Sequence, residues 1–341
     1  MNLTRILTIL WLALGAVGFS AETPPDSAPP CFRIPSAEEL GSDNTITQYR
    51  GQYSPKLYLP EADVWPVVDI AVLAFILSAG CVMVWRHVHF KWFRTTAAAT
   101  LMYFGFIRGG CICPVGSTAN VVIGLKHPEM IGITTAVIFL LPLLVAFIMG
   151  RVFCVAGCPL GAVQHLLGGR RSIRFPAPVE RVTRMLPVLA LASTAWLAFR
   201  GSCLLVCVLD PYKTAFFFGY GWIHRSINFF QGGLVEPRLF WVGDFSAWLI
   251  LAGAISLGFW VYRPFCRFVC PYGVLLGLFS MVAIKRRRID PDPCVQCGVC
   301  EKKCPVHAIR RDPATKEYVI SPFHCIQCNH CTSHCRKDGI G

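Results

Sequence analysis

The sequence predicts an α-helical integral membrane protein of about five transmembrane helices in two repeated halves, followed by a small cysteine-rich α+β domain at the C-terminus. Three observations carry that expectation. Hydrophobic residues make up 54% of the 341-residue chain and charged residues only 15%, against about 25% charged in ordinary soluble domains. The apolar residues gather in runs suited to a hydrocarbon core about 30 Å thick, with Lys and Arg concentrated at alternate ends. The 18 cysteines recur at fixed spacings, all but Cys31 and Cys81 belonging to a repeated pattern.

Near its start the chain has Arg5 and then an apolar run from Ile6 to Phe19, with small residues Gly18 and Ser20 where a signal peptidase would cut. Residues 1–21 therefore read as a signal peptide or an uncleaved N-terminal anchor. Residues 22–65 are polar and rich in Pro and Ser (Thr23-Pro24-Pro25, Ala28-Pro29-Pro30). They form an irregular periplasmic segment with too few apolar residues for a core of its own. Residues 66–284 make the membrane domain, with spans near 66–85, 95–110, 129–149, 185–202 and 245–262. Basic residues close the inner ends: Arg86, Lys91 and Arg94; Arg151; the Arg170–Arg184 cluster; Arg263; and Lys285 to Arg288. By the positive-inside rule the N-terminus is periplasmic, the 285–341 tail is cytoplasmic, and the location is a bacterial inner membrane. The net charge of +13 is accounted for by those clusters, so nucleic acid is excluded as a partner and the lipid bilayer takes its place. Cys81, alone in the first span, reads as packing. His87 and His89 lie two apart, on no common helix face, which argues against a b-type haem.

The membrane part contains an internal repeat. Its first half carries Arg108-Gly109-Gly110-Cys111-Ile112-Cys113, a span, and then Arg151-Val152-Phe153-Cys154, with Cys158-Pro159 beyond. Its second half carries Arg200-Gly201-Ser202-Cys203 with Cys207, a span, and then Arg263-Pro264-Phe265-Cys266, with Cys270-Pro271 beyond. Repeats of this kind build shared sites at their interface. Cys154, Cys158, Cys266 and Cys270 are thus expected to meet at the inner face, each pair four residues apart along one side of a helix. Four thiolates complete a 4Fe–4S site, although tetrahedral zinc also accepts four. Cys111, Cys113, Cys203 and Cys207 meet near the outer face by the same logic. There an oxidising periplasm leaves disulfides as the alternative to a cluster.

The tail is more specific. Cys294, Cys297, Cys300 and Cys304, followed by Pro305, have the spacing Cys-x-x-Cys-x-x-Cys-x-x-x-Cys, and Cys325, Cys328, Cys331 and Cys335 repeat it. This is the bacterial two-cluster ferredoxin pattern, in which the fourth cysteine of each run ligates the other cluster. One 4Fe–4S cluster is then expected on Cys294, Cys297, Cys300 and Cys335, and the other on Cys325, Cys328, Cys331 and Cys304. Zinc motifs instead pair two cysteines across a long gap. Arg336 stands where the first run has proline, and Tyr318-Val319-Ile320 reads as a short strand. His324, His330 and His334 flank ligands and are candidates for tuning, while His165 reads as a surface histidine.

The Cys-x-x-x-Cys-Pro pairs at 154–159 and 266–271, followed by the double run in the tail, resemble the NosR/NapH-type membrane polyferredoxins of nitrous-oxide and nitrate respiration. The resemblance covers roughly residues 66–341. It implies a redox relay between a cytoplasmic or quinone-level donor and a periplasmic acceptor, with Cys154, Cys158, Cys266 and Cys270 as redox-linked cysteines. The regulator branch of that family carries a large periplasmic flavin domain, for which 22–65 is too short, so a periplasmic flavoprotein or respiratory reductase is expected as partner. No catalytic triad, acid–base pair or phosphate loop is present, which points to an electron-transfer subunit of an oxidoreductase. The alternative is a maturation or assembly factor, or a redox regulator, for a respiratory metalloenzyme.

Overall fold

The computed structural model describes residues 65–108, 114–126, 133–168, 176–199, 216, 245–335, 337 and 339–341. The leader, the segment before Trp65, Cys31, Arg200, Arg336 and the outer cysteines Cys111, Cys113, Cys203 and Cys207 lie outside those residues.

Helices stand at each position where the sequence predicts a span. They are α1 (Trp65–Trp85), α2 (Lys91–Thr100) running into a π-helical segment (Leu101–Ile107), α4 (Ile133–Met149), α7 (Ala177–Phe199) and α8 (Phe245–Trp260). Among the described residues two helical stretches, Val67–Trp85 and Val182–Phe199, are long and apolar enough to cross a membrane, and Thr135–Met149 and Leu251–Trp260 are apolar but shorter. The wide π turn ends at Arg108, whose guanidinium reaches back to the buried Asp69 of α1 with Nη2 at 2.6 Å and Nε at 3.0 Å. Tyr103 adds a hydroxyl bond of 3.1 Å to the same carboxylate. Burying a carboxylate in an apolar helix is tolerable only with such paired donors.

Three further helices are not marked by apolar length alone: α3 (Pro114–Lys126), α6 (Pro159–Leu167) and α10 (Pro271–Met281). Each opens on proline, which lacks the amide that a first helical turn leaves unpaired. Short helices, α5 (Val152–Ala156) and α9 (Pro264–Phe268), precede α6 and α10. The halves interlock. α6 of the first half packs on α8 of the second, and α10 of the second packs on α3, α4 and α7. Tyr272 of α10 donates to the Phe139 carbonyl at 2.7 Å, in the part of α4 interrupted by Pro142, where a missing amide weakens the backbone ladder.

The tail is a small α+β unit with helix α11 (Val299–Lys303) and the antiparallel pair β1 (Ile309–Arg311) and β2 (Tyr318–Ile320), in register Ile309 to Ile320. The predicted strand at 318–320 is β2. Ile309 and Ile320 sit in a second core with Cys304, Ala308 and Ile340. The tail is seated on the helical part by buried polar contacts. Arg287 donates to the Val84 carbonyl at 2.7 Å and to Asn329 Oδ1 at 2.5 Å, and pairs with His87 at 2.9 Å. The Asn329 amide in turn holds the Met83 and Val88 carbonyls at 3.0 and 3.1 Å.

Candidate iron–sulfur centres

The inner pairs differ in one respect from the sequence expectation. Cys154 lies within α5, but Cys158 is the extended N-cap of α6 (φ −94, ψ 117), so the two do not share one helix face. Cys266 and Cys270 repeat this, with Cys270 extended (φ −65, ψ 108) ahead of α10. The following proline is the cause, since it disfavours helical geometry in the residue before it. In the first pair the break turns the second sulfur toward a helix N-terminus, where the Gly161 amide approaches Cys158 Sγ at 3.4 Å; Cys270 makes no such cap bond. Backbone donors and a helix dipole there favour a thiolate.

The two halves are related residue by residue at this point. A Cβ placed on Gly161 would meet the Cys154 carbonyl at 2.6 Å and Arg263 Nη1 at 3.4 Å. Its counterpart, Gly273, faces Arg151 Nη2 at 3.0 Å and the Cys266 carbonyl at 3.6 Å. Each arginine thus crosses to the other half's Cys-Pro-x-Gly turn. Arg263, itself in the left-handed region at φ 54, donates to the Cys154 carbonyl. That conformation carries strain of order 1–3 kcal/mol, which the buried guanidinium contact offsets. Gln164 completes the lock, donating to Cys266 Sγ at 3.4 Å and accepting from the Phe265 amide at 3.1 Å.

Cys154, Cys266 and Cys270 line one cavity together with Arg151, Arg263 and Arg267. Cys158 is buried against the same group. Burial pushes its thiol well up, and Cys266, Cys154 and Cys270 add to the effect through charge. The donor set fits a four-iron cluster. Four thiols converge, and Arg151 Nε and Arg263 Nε and Nη2 are buried without an acceptor, as cations offsetting a net anionic cluster would be. Among the described residues no three Cys, His, Asp or Glu side chains close on a single ion. A cubane does not require that, because each thiolate takes a separate iron.

Cys304, Cys325, Cys328 and Cys331 line a second cavity. The fourth cysteine of the first run therefore stands with three from the second run, as the ferredoxin pattern requires. Burial pushes Cys328 up to about 12, with Cys304 and Cys325 adding to it, and Cys325 up to about 11, with Cys304 adding. Cys294, Cys297 and Cys300 stand together in the first run, where burial followed by the other two thiols raises Cys300. The turn Thr332–His334, which ends on Cys335, packs against α11 beside them. Cys297 is exposed and Cys328 buried, so the first run reaches solvent at Cys297 and the second run packs against the helical core at Cys328.

The two cavities share a wall, since Val306 and Ile326 line both. Arg151 spans the seam, donating to the Phe323 carbonyl at 2.7 Å just ahead of Cys325. Gly150, at φ 77, lets Gln327 approach to 3.0 Å of where a Cβ would stand. Cys81 is half-buried packing against the main core, as expected. His165 is not a surface residue. It is buried and shares a 2.6 Å hydrogen bond with Tyr262, because α6 turns inward after Cys158. The reach of Gln164 to Cys266 had no signal in the sequence beyond its place one turn after Cys158-Pro159.

Comparison with known proteins agrees with this geometry. A family described as 4Fe-4S dicluster domain matches residues 286–336. A second, described as 4Fe-4S binding domain, matches twice, at 131–178 and 244–289, one match in each half. An uncharacterised protein of Methanocaldococcus jannaschii is 28% identical over 51% of this chain and 59% of its own length. A protein named for electron transport, YccM of Escherichia coli, is 22% identical over 63% of this chain and 58% of its own. The methylamine utilization ferredoxin-type protein MauN of Paracoccus denitrificans is 27% identical over 46% of this chain and 48% of its own. The chain thus spans about half the length of these relatives, from 48% to 59%. No solved structure matches the chain at a significant level. The chain carries ferredoxin-type 4Fe–4S domains and is distantly related to iron–sulfur proteins of electron transport.

Proposed function

We propose that this chain is a membrane-embedded electron conduit of the NosR/NapH-like kind. In this reading five helices span a bacterial inner membrane, and the tail takes or gives electrons on the cytoplasmic side. The observation that carries it is the shared wall: two cysteine quartets, one from the helical repeat and one from the tail, are separated by Val306 and Ile326. Outward-facing Phe75, Leu144, Trp196 and Phe259 are all more than half exposed, which supports a lipid environment for the helices.

When bound, each 4Fe–4S group supplies a one-electron carrier. The chain's own residues do the rest. The thiolates of Cys294, Cys297, Cys300 and Cys335 form the solvent-facing port, and those of Cys304, Cys325, Cys328 and Cys331 form the buried step. Cys154, Cys158, Cys266 and Cys270 hold the step against the helices. Val306 and Ile326 exclude water between the last two, and Arg151 and Arg263 offset their negative charge. Cys111, Cys113, Cys203 and Cys207 complete the path to a periplasmic flavoprotein or reductase, as a fourth cluster or as disulfides serving a partner's cofactor.

The test is EPR with iron quantification on anaerobically purified protein. Three filled quartets give about twelve iron atoms per chain, and a fourth at the outer cysteines gives about sixteen. About eight would refute the inner centre, and an iron-free preparation would refute the whole reading.

A further inference from the structure

We infer that Glu180 is a clamp that seats the tail on the helical domain and so holds the two cysteine quartets across their shared wall; this rests on the conduit reading above. Glu180 lies in the first turn of α7. Its Oε1 accepts from three arginines on three separate elements: Arg184 of α7 at 3.0 Å, Arg267 between Cys266 and Cys270 at 3.3 Å, and Arg310 of β1 at 2.6 Å. The side chains of Glu180 and Arg267 are only 18% and 16% exposed, so their bond is less screened than a surface pair, whereas Arg310 is 51% exposed and its bond is screened as surface pairs are.

The placement matters more than the strength of any one pair. Arg267 belongs to the inner quartet's own turn. Arg310 lies on the strand that follows Cys304, the tail cysteine that joins the second quartet. A single carboxylate therefore ties one cysteine-bearing segment to the other. Other seam contacts come from the opposite loop, among them Asn329 and the Pro322 and Phe323 carbonyls, and from Arg287 to the Val84 carbonyl. Among the described residues no other carboxylate bonds these three guanidinium groups, so without Glu180 their mutual repulsion goes unopposed there. The Cys304 strand would then be pushed from the Cys266 turn while the Cys325–Cys331 loop stayed docked. The wall of Val306 and Ile326 would open on that side, with every thiolate still present.

The experiment compares the full-length protein with Glu180→Gln, Arg310→Gln and Arg311→Gln. Arg311 is the neighbour of Arg310 on the same strand and bonds the Lys316 carbonyl instead. The readouts are iron per chain, the magnetic interaction between the inner and tail clusters by EPR, and the rate at which a reduced tail reduces the inner centre. Glu180→Gln and Arg310→Gln are expected to keep their iron, lose the magnetic interaction and slow the transfer by about tenfold or more, as small misplacements of reacting groups do. Arg311→Gln is expected to match wild type. Unchanged interaction and rate in Arg310→Gln, or an equal loss in Arg311→Gln, would overturn the clamp, and Arg310→Gln decides the matter even if Glu180→Gln fails to fold. A wild-type protein with no such interaction would refute the conduit reading itself, and the clamp with it.

Discussion

Gly161→Ala adds one methyl group at the point where the two halves meet. The amide that approaches Cys158 Sγ is retained, so the only change is steric. The new Cβ would stand 2.6 Å from the Cys154 carbonyl oxygen and 3.4 Å from Arg263 Nη1. The carbonyl cannot swing away freely, because Arg263 holds it from a fully buried position. Overpacking of this sort costs about 1–3 kcal/mol, offset by about 0.5–1 kcal/mol gained on replacing a helical glycine. The chain therefore stays folded, and the strain falls on the Cys154 turn. The assay is iron per chain and the EPR of each cluster. Gly161→Ala is expected to lose about four irons, those of the inner centre, and to keep the tail signals. Gly273→Ala comes inside normal contact distance only of Arg151 Nη2, at 3.0 Å, with the Cys266 carbonyl at an ordinary 3.6 Å, and should lose less. Gly253→Ala has nothing within 4 Å and should lose none. Full iron content and a wild-type melting temperature in Gly161→Ala would refute the reasoning.

Further outcomes follow from the same geometry. Cys304→Ser should abolish the EPR signal of the cluster shared with Cys325, Cys328 and Cys331, and leave that of Cys294, Cys297, Cys300 and Cys335; the reverse result would refute the crossed ligation. Asn329→Ala leaves Arg287 and the Met83 and Val88 carbonyls short of partners, at about 1–3 kcal/mol for each buried group. It also puts alanine at φ 56, so a lowered melting temperature and easier proteolytic release of the tail are expected. Burial, then the charges of Arg263, Arg94 and His330, holds His165 down to about 2 from 6.5. The unfolded chain takes a proton below pH 6.5 that the folded chain refuses, so this group's stabilisation is full above 6.5 and is lost as pH falls toward 2. At pH 5 the loss is about 2 kcal/mol, at about 1.4 kcal/mol per pH unit. His165→Gln should therefore melt with a shallower dependence between pH 7 and pH 5, and an unchanged slope would show that His165 does not govern it.

Much of this was readable along the chain because the signals are local. The tail's spacing is short-range geometry, so the partnership of Cys304 with Cys325, Cys328 and Cys331 follows from counting residues. The apolar runs placed α1, α4, α7 and α8, since a long unbroken run of apolar residues is itself a local signal of a helix. The helices α6 and α10 were not marked because they are short, and a short apolar run after proline has no periodic signature of its own. The expectation that Cys154 and Cys158 share a helix face failed for a reason visible in the sequence: Pro159 directs its predecessor away from helical geometry. His165 was read as exposed because burial depends on the direction α6 takes, which no window of neighbouring residues encodes.

By itself the sequence determined the chemistry: thiols in fours, repeated halves, and apolar helices bounded by basic residues. These depend on residue type and spacing, which act over a few bonds. The tertiary structure decided which groups face one another across long separations. Arg263 grips the Cys154 turn, Arg151 reaches Phe323, and one glutamate gathers arginines from the helical repeat and the tail. Those pairings are set by how the two halves interlock and where the tail docks. Charge and packing between distant segments take effect only once the whole chain has brought them within a few ångströms.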